Sequence, residues 1–280
     1  MYTYSTYSNA TKVKEIFGQL PIDPDKKKGQ NFMINTTVVD RIMDVISSLV
    51  SKDTNVVEIG GGLGAFSVPL AHIANQYVVY EVDQFLQVLL AQQLKECPNA
   101  RVELSNILDE KQLAFGSPET FVFGSLPYSI TSPIFHKLIV EWSLQWQTGL
   151  FIIQKDVAEK ITSVAPQSSY WNHFMGGFCM CKTLFTIPGS SFWPQPSVES
   201  SVLLCERRDL NISLDPKKWS VFLHKVHNTP RRQISAQFEV KDLDEALIDS
   251  EKRPQELESD QVYRLYKIVE GLSDQEPTNL

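Results

Sequence analysis

Residues 55–67 read NVVEIGGGLGAFS, and their reading decides the fold. A short run rich in β-branched apolar residues meets a cluster of glycines, and a second apolar stretch follows. That order predicts a buried strand, a tight turn and a helix. Glycines permit the turn and a close backbone approach to a ligand, while the start of the helix presents free N–H groups. Gly60, Gly62 and Gly64 give G-x-G-x-G, a spacing suited to S-adenosylmethionine enzymes. Gly60, Gly62 and Ala65 also satisfy the looser dinucleotide fingerprint. A purely structural turn is the third reading, and the glycines alone leave all three open.

Working outward, apolar strand-like runs recur at 76–83, 100–105, 120–125 and 149–154. Between them lie stretches long enough for crossover helices, such as 66–74 and 84–95. Strands alternating with helices predict a largely parallel sheet covered on both faces. Before the first strand, TTVVDRIMDVISSLV (36–50) has helical spacing with Thr36 as its expected N-cap. After residue 180, two further strands flank the Pro-rich PGSSFWPQPS (188–197), and from 209 onward the segments are short, amphipathic and helical. The expectation is an α/β, Rossmann-like domain over 1–208, with 1–30 as an N-terminal extension. A small all-helical C-terminal domain over 209–280 follows it.

Composition narrows the function classes. The chain has 280 residues, 42% hydrophobic and 21% charged, as in soluble globular proteins. No apolar run approaches the roughly 18 residues of a membrane span, and the first residues carry no apolar signal-peptide core. They are rich in Ser and Thr but lack Arg, which speaks against a mitochondrial presequence. Cys97, Cys179, Cys181 and Cys205 form no C-x-x-C pair, so a reducing cytoplasm is expected. The net charge of −7 argues against a protein that coats DNA. It is concentrated in residues 239–280, which hold 12 acids and 5 bases. Basic clusters stand at Lys26–Lys28, Arg207–Arg208, Lys217–Lys218 and Arg231–Arg232. They suit either a solvated surface or phosphate contacts.

Two further stretches sharpen the glycine reading. Glu81 ends the second strand about 20 residues after the glycines, where an acid binds a ribose diol. Such an acid indicates a ribose but not which cofactor carries it. GSLPYSI (124–130) follows the fourth strand. There the Ser125 oxygen and the Leu126 carbonyl can accept hydrogen bonds from an exocyclic amine. Pro127 restricts Leu126, and Tyr128 can stack on a heterocycle. A dehydrogenase has no evident use for this turn, whereas an enzyme that methylates an amine does. Positioning then supplies most of the catalysis, without a strong general base.

These stretches, with KKKGQNFMIN (26–35), YEVD (80–83), SLPYSITSPIFHKLI (125–139), FIIQKDVAEKI (151–161), FWPQPSVESSVL (192–203), RRQISAQF (231–238) and KRPQELESDQVYRLYKIV (252–269), resemble the KsgA/Erm family of ribosomal RNA adenine N6-dimethyltransferases. The leader resembles the KsgA branch, and the match runs from about 11 to 270. The resemblance implies a class I methyltransferase fold and S-adenosylmethionine as cofactor. It implies dimethylation of adjacent adenines near the 3′ end of small-subunit rRNA, in a pre-30S-type particle, by a monomer. The cofactor residues it implies are Gln30, Asn31, Met33, Gly60, Gly62, Glu81, Asn106 and Ser125. Ser125, Leu126, Pro127 and Tyr128 would form the catalytic turn, and Tyr128, Phe192, Arg231 and Arg232 would contact RNA. Phe192 and Trp193 suit either a face for the target base or burial between the last two strands.

Two residues depart from the family pattern. Ser125 stands where the family usually has Asn, and Asn106 where it has an Asp that accepts from the cofactor's adenine amine. Both keep an acceptor oxygen. Their coincidence motivates a second reading, a weakened or inactive relative acting as an rRNA-binding assembly factor or a transcription factor. An Erm-like methyltransferase of large-subunit rRNA is a third. His224 and His227 have i, i+3 spacing, but no Cys or carboxylate pattern completes a metal site.

Overall fold

The computed structural model describes residues 8–19, 23–25, 28–208 and 214–272. Lys26, Lys27, the start of the expected C-terminal domain and the last eight residues lie outside that set. By their contacts the residues form two compact units, 1–155 with 183–205 and 156–182 with 206–280. Residues 156–182, which the sequence reading keeps with the first domain, thus group with the C-terminal helices.

The first unit begins with α1 (Ala10–Gln19), β1 (Phe32–Met33) and α2 (Thr36–Leu49). Asn35, one residue before the expected cap, closes the start of α2 through its side-chain oxygen, which accepts from the Val38 amide at 3.2 Å. Val39, Ile42, Met43 and Ile46 make the buried stripe of α2. Then follow β2 (Asn55–Ile59), α3 (Ser67–Ile73), β3 (Tyr77–Glu81), α4 (Gln84–Gln93), β4 (Ala100–Leu104), β5 (Thr120–Ser125), α5 (Thr131–Val140) and β6 (Thr148–Gln154). The chain continues through α6 (Lys155–Thr162), α7 (Tyr170–Gly176), β7 (Cys179–Ile187), β8 (Phe192–Trp193) and β9 (Ser200–Arg207).

Seven strands form one sheet in the order β4-β3-β2-β5-β6-β9-β7, and β1 pairs separately with β8. The five strands from β4 to β6 are parallel. β2 and β3 are almost wholly buried, which is why they read as continuous apolar runs rather than alternating ones. From β2 the chain builds outward to β3 and β4, then returns to place β5 on the other side of β2. The strand order therefore reverses between β2 and β5. In open parallel sheets the crevice beyond the carboxyl ends at such a point binds ligands.

The second unit adds α8 (Pro216–His227), α9 (Val240–Glu245) and α10 (Ser259–Glu270). Its core is aromatic. The Trp219 ring meets Tyr266 edge-on at 5.2 Å, and Phe222 meets Tyr266 at the same distance. α7 belongs with these helices because Tyr170 stacks on His224 and His173 bonds His227. Both histidines of α8 meet the Tyr170 ring, His224 stacked on it and His227 edge-on. His173 Nδ1 lies 3.0 Å from His227 Nε2, and His173 Nε2 lies 3.3 Å from the Leu257 carbonyl. Burial pulls His173 down to about 4 and His227 to about 3, so both are neutral at pH 7. Among the described residues no three His, Cys, Asp or Glu side chains are grouped to hold a metal. No described helix is long and apolar enough to cross a membrane.

Candidate active site

The crevice opens at the carboxyl ends of β2, β3, β4 and β5 and encloses about 930 Å³, its open mouth included. Gly60 continues β2, donating its N–H to the Tyr80 carbonyl at 2.9 Å. Its φ is +79°, and a Cβ there would meet nothing within 4 Å. Gly64, at φ +84°, faces the opposite constraint, because a Cβ would collide with the Gln93 side chain. The turn thus presents bare backbone to the crevice on one side and packs tightly on α4 on the other.

Glu81 is 5% exposed and held at both oxygens. Oε2 accepts from the Gly62 amide at 3.0 Å and Oε1 from the Asp83 amide at 2.9 Å. Burial pushes its carboxyl up, and the backbone amides of Asp83, Gly62 and Val82 oppose that rise. Each oxygen keeps a lone pair for a further donor. Asp83 caps α4 through Oδ1, bonding the Phe85 and Leu86 amides. Its Oδ2 takes Lys28 Nζ at 2.6 Å and Gln30 Nε2 at 3.3 Å. Burial alone would raise the Asp83 carboxyl, yet Lys28 and the cap bonds hold it below its usual range. Gln30 also accepts the Asp25 amide at 2.8 Å. Beneath the glycine turn lies Glu58, 2% exposed, with the Tyr77 hydroxyl donating to it. Burial raises the Glu58 carboxyl to about 7.

At the other end, Ser125 finishes β5 opposite Ile152 of β6, and its hydroxyl makes no hydrogen bond among the described residues. The Leu126 amide extends the ladder to the Ile152 carbonyl at 3.0 Å, and the Leu126 side chain is buried. The Pro127 carbonyl accepts from the Ile130 amide at 3.1 Å, turning the chain into α5. Tyr128 is half-buried, its hydroxyl 3.5 Å from Ser200 Oγ. The Asn106 side-chain oxygen accepts from the Leu108 amide at 3.1 Å and so closes the end of its own turn.

The crevice brings together Gln30, Asn31, Met33, Gly60, Gly62, Glu81, Asn106, Ser125 and Pro127. Leu126 and Tyr128 flank it without lining it. Phe192 takes the second of its two sequence readings. Antiparallel pairing with Met33 sets it in the core at 4% exposure, so its ring is not open to a base. Arg231 and Arg232 are exposed in the second unit, in the turn after α8. The sequence reading missed Lys28 and Glu58 as crevice residues, and also Asp83, which does not line the crevice but bonds Lys28, Gln30 and Glu81 around it. Asp83 carried a signal in YEVD, as an aspartate immediately before a helix. The residues fit the cofactor that the resemblance implies. Open space over Gly60 admits a ligand against bare backbone, and Glu81 retains acceptor capacity for a diol.

The model of the ribosomal RNA adenine dimethylase family matches residues 24–271. The chain belongs to that family. Among curated relatives of the chain, ribosomal RNA small subunit methyltransferase A of Listeria innocua is 34% identical over 192 residues, 65% of this chain and 64% of that protein. The match thus spans less than two thirds of that relative's length. The protein of the same name from Bacillus pumilus is 27% identical over 284 residues, covering 92% of this chain and 96% of its own. Two solved structures share the fold. The 23S rRNA methyltransferase ErmE has a TM-score of 0.70 at 22% identity, over 86% of this chain and all of its own. A dimethyladenosine transferase from Plasmodium falciparum has a TM-score of 0.74 at 19% identity, over 83% of this chain and 95% of its own.

Proposed function

We propose that this chain transfers methyl groups from S-adenosylmethionine to the N6 atoms of adjacent adenines near the 3′ end of small-subunit rRNA. One observation carries the reading. Residues from four strand ends and the N-terminal segment, Gln30, Gly62, Glu81, Asn106 and Ser125 among them, line a single crevice in a chain matched by the family along most of its length. S-adenosylmethionine supplies an electrophilic methyl group. Glu81 holds a ribose diol, and Gly60 and Gly62 allow close approach of the ligand to the turn. Ser125 Oγ and the Leu126 carbonyl accept from the adenine amine and orient its lone pair, while Tyr128 offers a ring for stacking. The adenine reaches this turn only when unpaired or flipped from its stack. In this reading the protein works as a monomer in the cytoplasm on a pre-30S-type particle. Residues 209–280, with Arg231 and Arg232, would contact the RNA by phosphate and shape.

The test is transfer of labelled methyl to small-subunit particles from a strain lacking the modification, with nucleoside mass spectrometry of the rRNA. Dimethyladenosine is the expected product. The uncharged Asn106, whose oxygen already accepts one backbone amide, motivates one competing reading, a binding protein on the same fold. Its signature is a particle that is bound but carries no new methyl.

A further inference from the structure

We propose that Lys28 and Asp83 form a latch that holds the segment 28–33 across the mouth of the crevice and so sets how fast the cofactor leaves. The proposal rests on the cofactor reading above. Lys28 Nζ sits 2.6 Å from Asp83 Oδ2, and Gln30 Nε2 donates to the same oxygen at 3.3 Å. The Asp83 side chain is 9% exposed and that of Lys28 39%, so water screens the pair incompletely. Asp83 is also the residue whose amide fixes Glu81 and whose Oδ1 caps α4. One aspartate therefore ties the segment to the acid that faces the ribose.

The segment touches the opposite rim as well. Gly29 has φ +66°, and a Cβ on it would stand 2.9 Å from Cβ of Pro127, in the amine-facing turn. Phe32 lines the crevice and packs on Phe17 of α1 with ring centroids 5.0 Å apart. Phe17 in turn meets Trp193 at 5.3 Å. The strap is thus backed by an apolar cluster on the α1 side and fastened by charge on the β3 side. For a ligand seated beneath it to leave, the strap has to lift, and the charged fastening is the part that opens without uncovering apolar surface. Lys28 and Asp83 act as positioning residues, since neither is assigned a contact with the reacting atoms.

The test compares Lys28→Gln, Lys28→Arg, Asp83→Asn and the Lys28→Gln/Asp83→Asn pair in the full chain. Asp83→Asn keeps the oxygen that caps α4. The first readout is release of S-adenosylmethionine in a chase experiment. The second is amide hydrogen exchange of residues 28–33 without cofactor. Lys28→Gln and Asp83→Asn are each expected to speed release about three- to fivefold. The pair should be no faster than either alone, and Lys28→Arg should stay near the parent rate. Added salt should hasten release from the parent protein but not from Lys28→Gln. Exchange over 28–33 should rise in both single variants. Unchanged release and exchange in Lys28→Gln, or effects that simply add in the pair, would overturn the latch. A parent protein that binds no S-adenosylmethionine would overturn the cofactor reading instead, and the exchange comparison would still decide whether the latch exists.

Discussion

The two ends of the crevice are built differently. At the Glu81 end the carboxylates already have protein partners. Both oxygens of Glu81 accept backbone amides, and both oxygens of Asp83 are engaged. At the Ser125 end the hydroxyl has no partner among the described residues, and Tyr128 makes one long contact to Ser200. In the proposed function the first end is preorganised for the cofactor, and the second leaves acceptors for the substrate to complete, as suits catalysis by positioning.

The largest expected effect tests the preorganised end. Glu81→Ala removes the acceptor of two backbone donors and of the proposed diol. S-adenosylmethionine affinity should fall at least about 30-fold, or ~2 kcal/mol, as read by calorimetry. Next comes the rigidity of the turn. Gly64→Ala places a Cβ at φ +84° against Gln93, so thermal unfolding should show a loss of about 1–2 kcal/mol. A variant that melts like the parent would mean the turn yields more easily than its geometry implies.

Ser125→Ala probes the open end. Turnover should drop up to about tenfold, with S-adenosylmethionine affinity within about twofold of the parent, and Ser125→Asn should retain activity. A fall in affinity with turnover preserved would dissolve the distinction between the ends. A last expected effect concerns pH. The Glu58 carboxyl is raised to about 7 in the fold, above its unfolded value of about 4.3. Between those values the folded state holds the extra proton, so Glu58's contribution to stability declines as pH rises from about 4 to 7. Glu58→Gln should flatten that part of the stability profile by up to about 2–3 kcal/mol. Chemical denaturation at pH 5 and pH 8 measures it.

The sequence disclosed what is local. Gly60 to Gly64, Glu81 and the Ser125–Tyr128 turn each announce themselves within a few residues, because strand ends and tight turns impose their chemistry on adjacent positions. α4 runs from Gln84 to Gln93, inside the stretch 84–95 that is long enough for a crossover helix. What depends on distant neighbours was not legible. Nothing near Lys28 points to Asp83, 55 positions away. An aromatic at 192 looks alike whether it faces a base or the core, and its pairing with Met33 decides the matter. Residues 156–182 carry no mark of their partner until Tyr170 and His173 meet α8.

The most direct test of the account is a calorimetric titration of S-adenosylmethionine into the full chain, run beside Glu81→Ala. The account predicts saturable one-site binding by the parent protein and its near loss in the variant. Binding that survives Glu81→Ala unchanged, or a parent protein that gives no binding heat at any temperature, would contradict it.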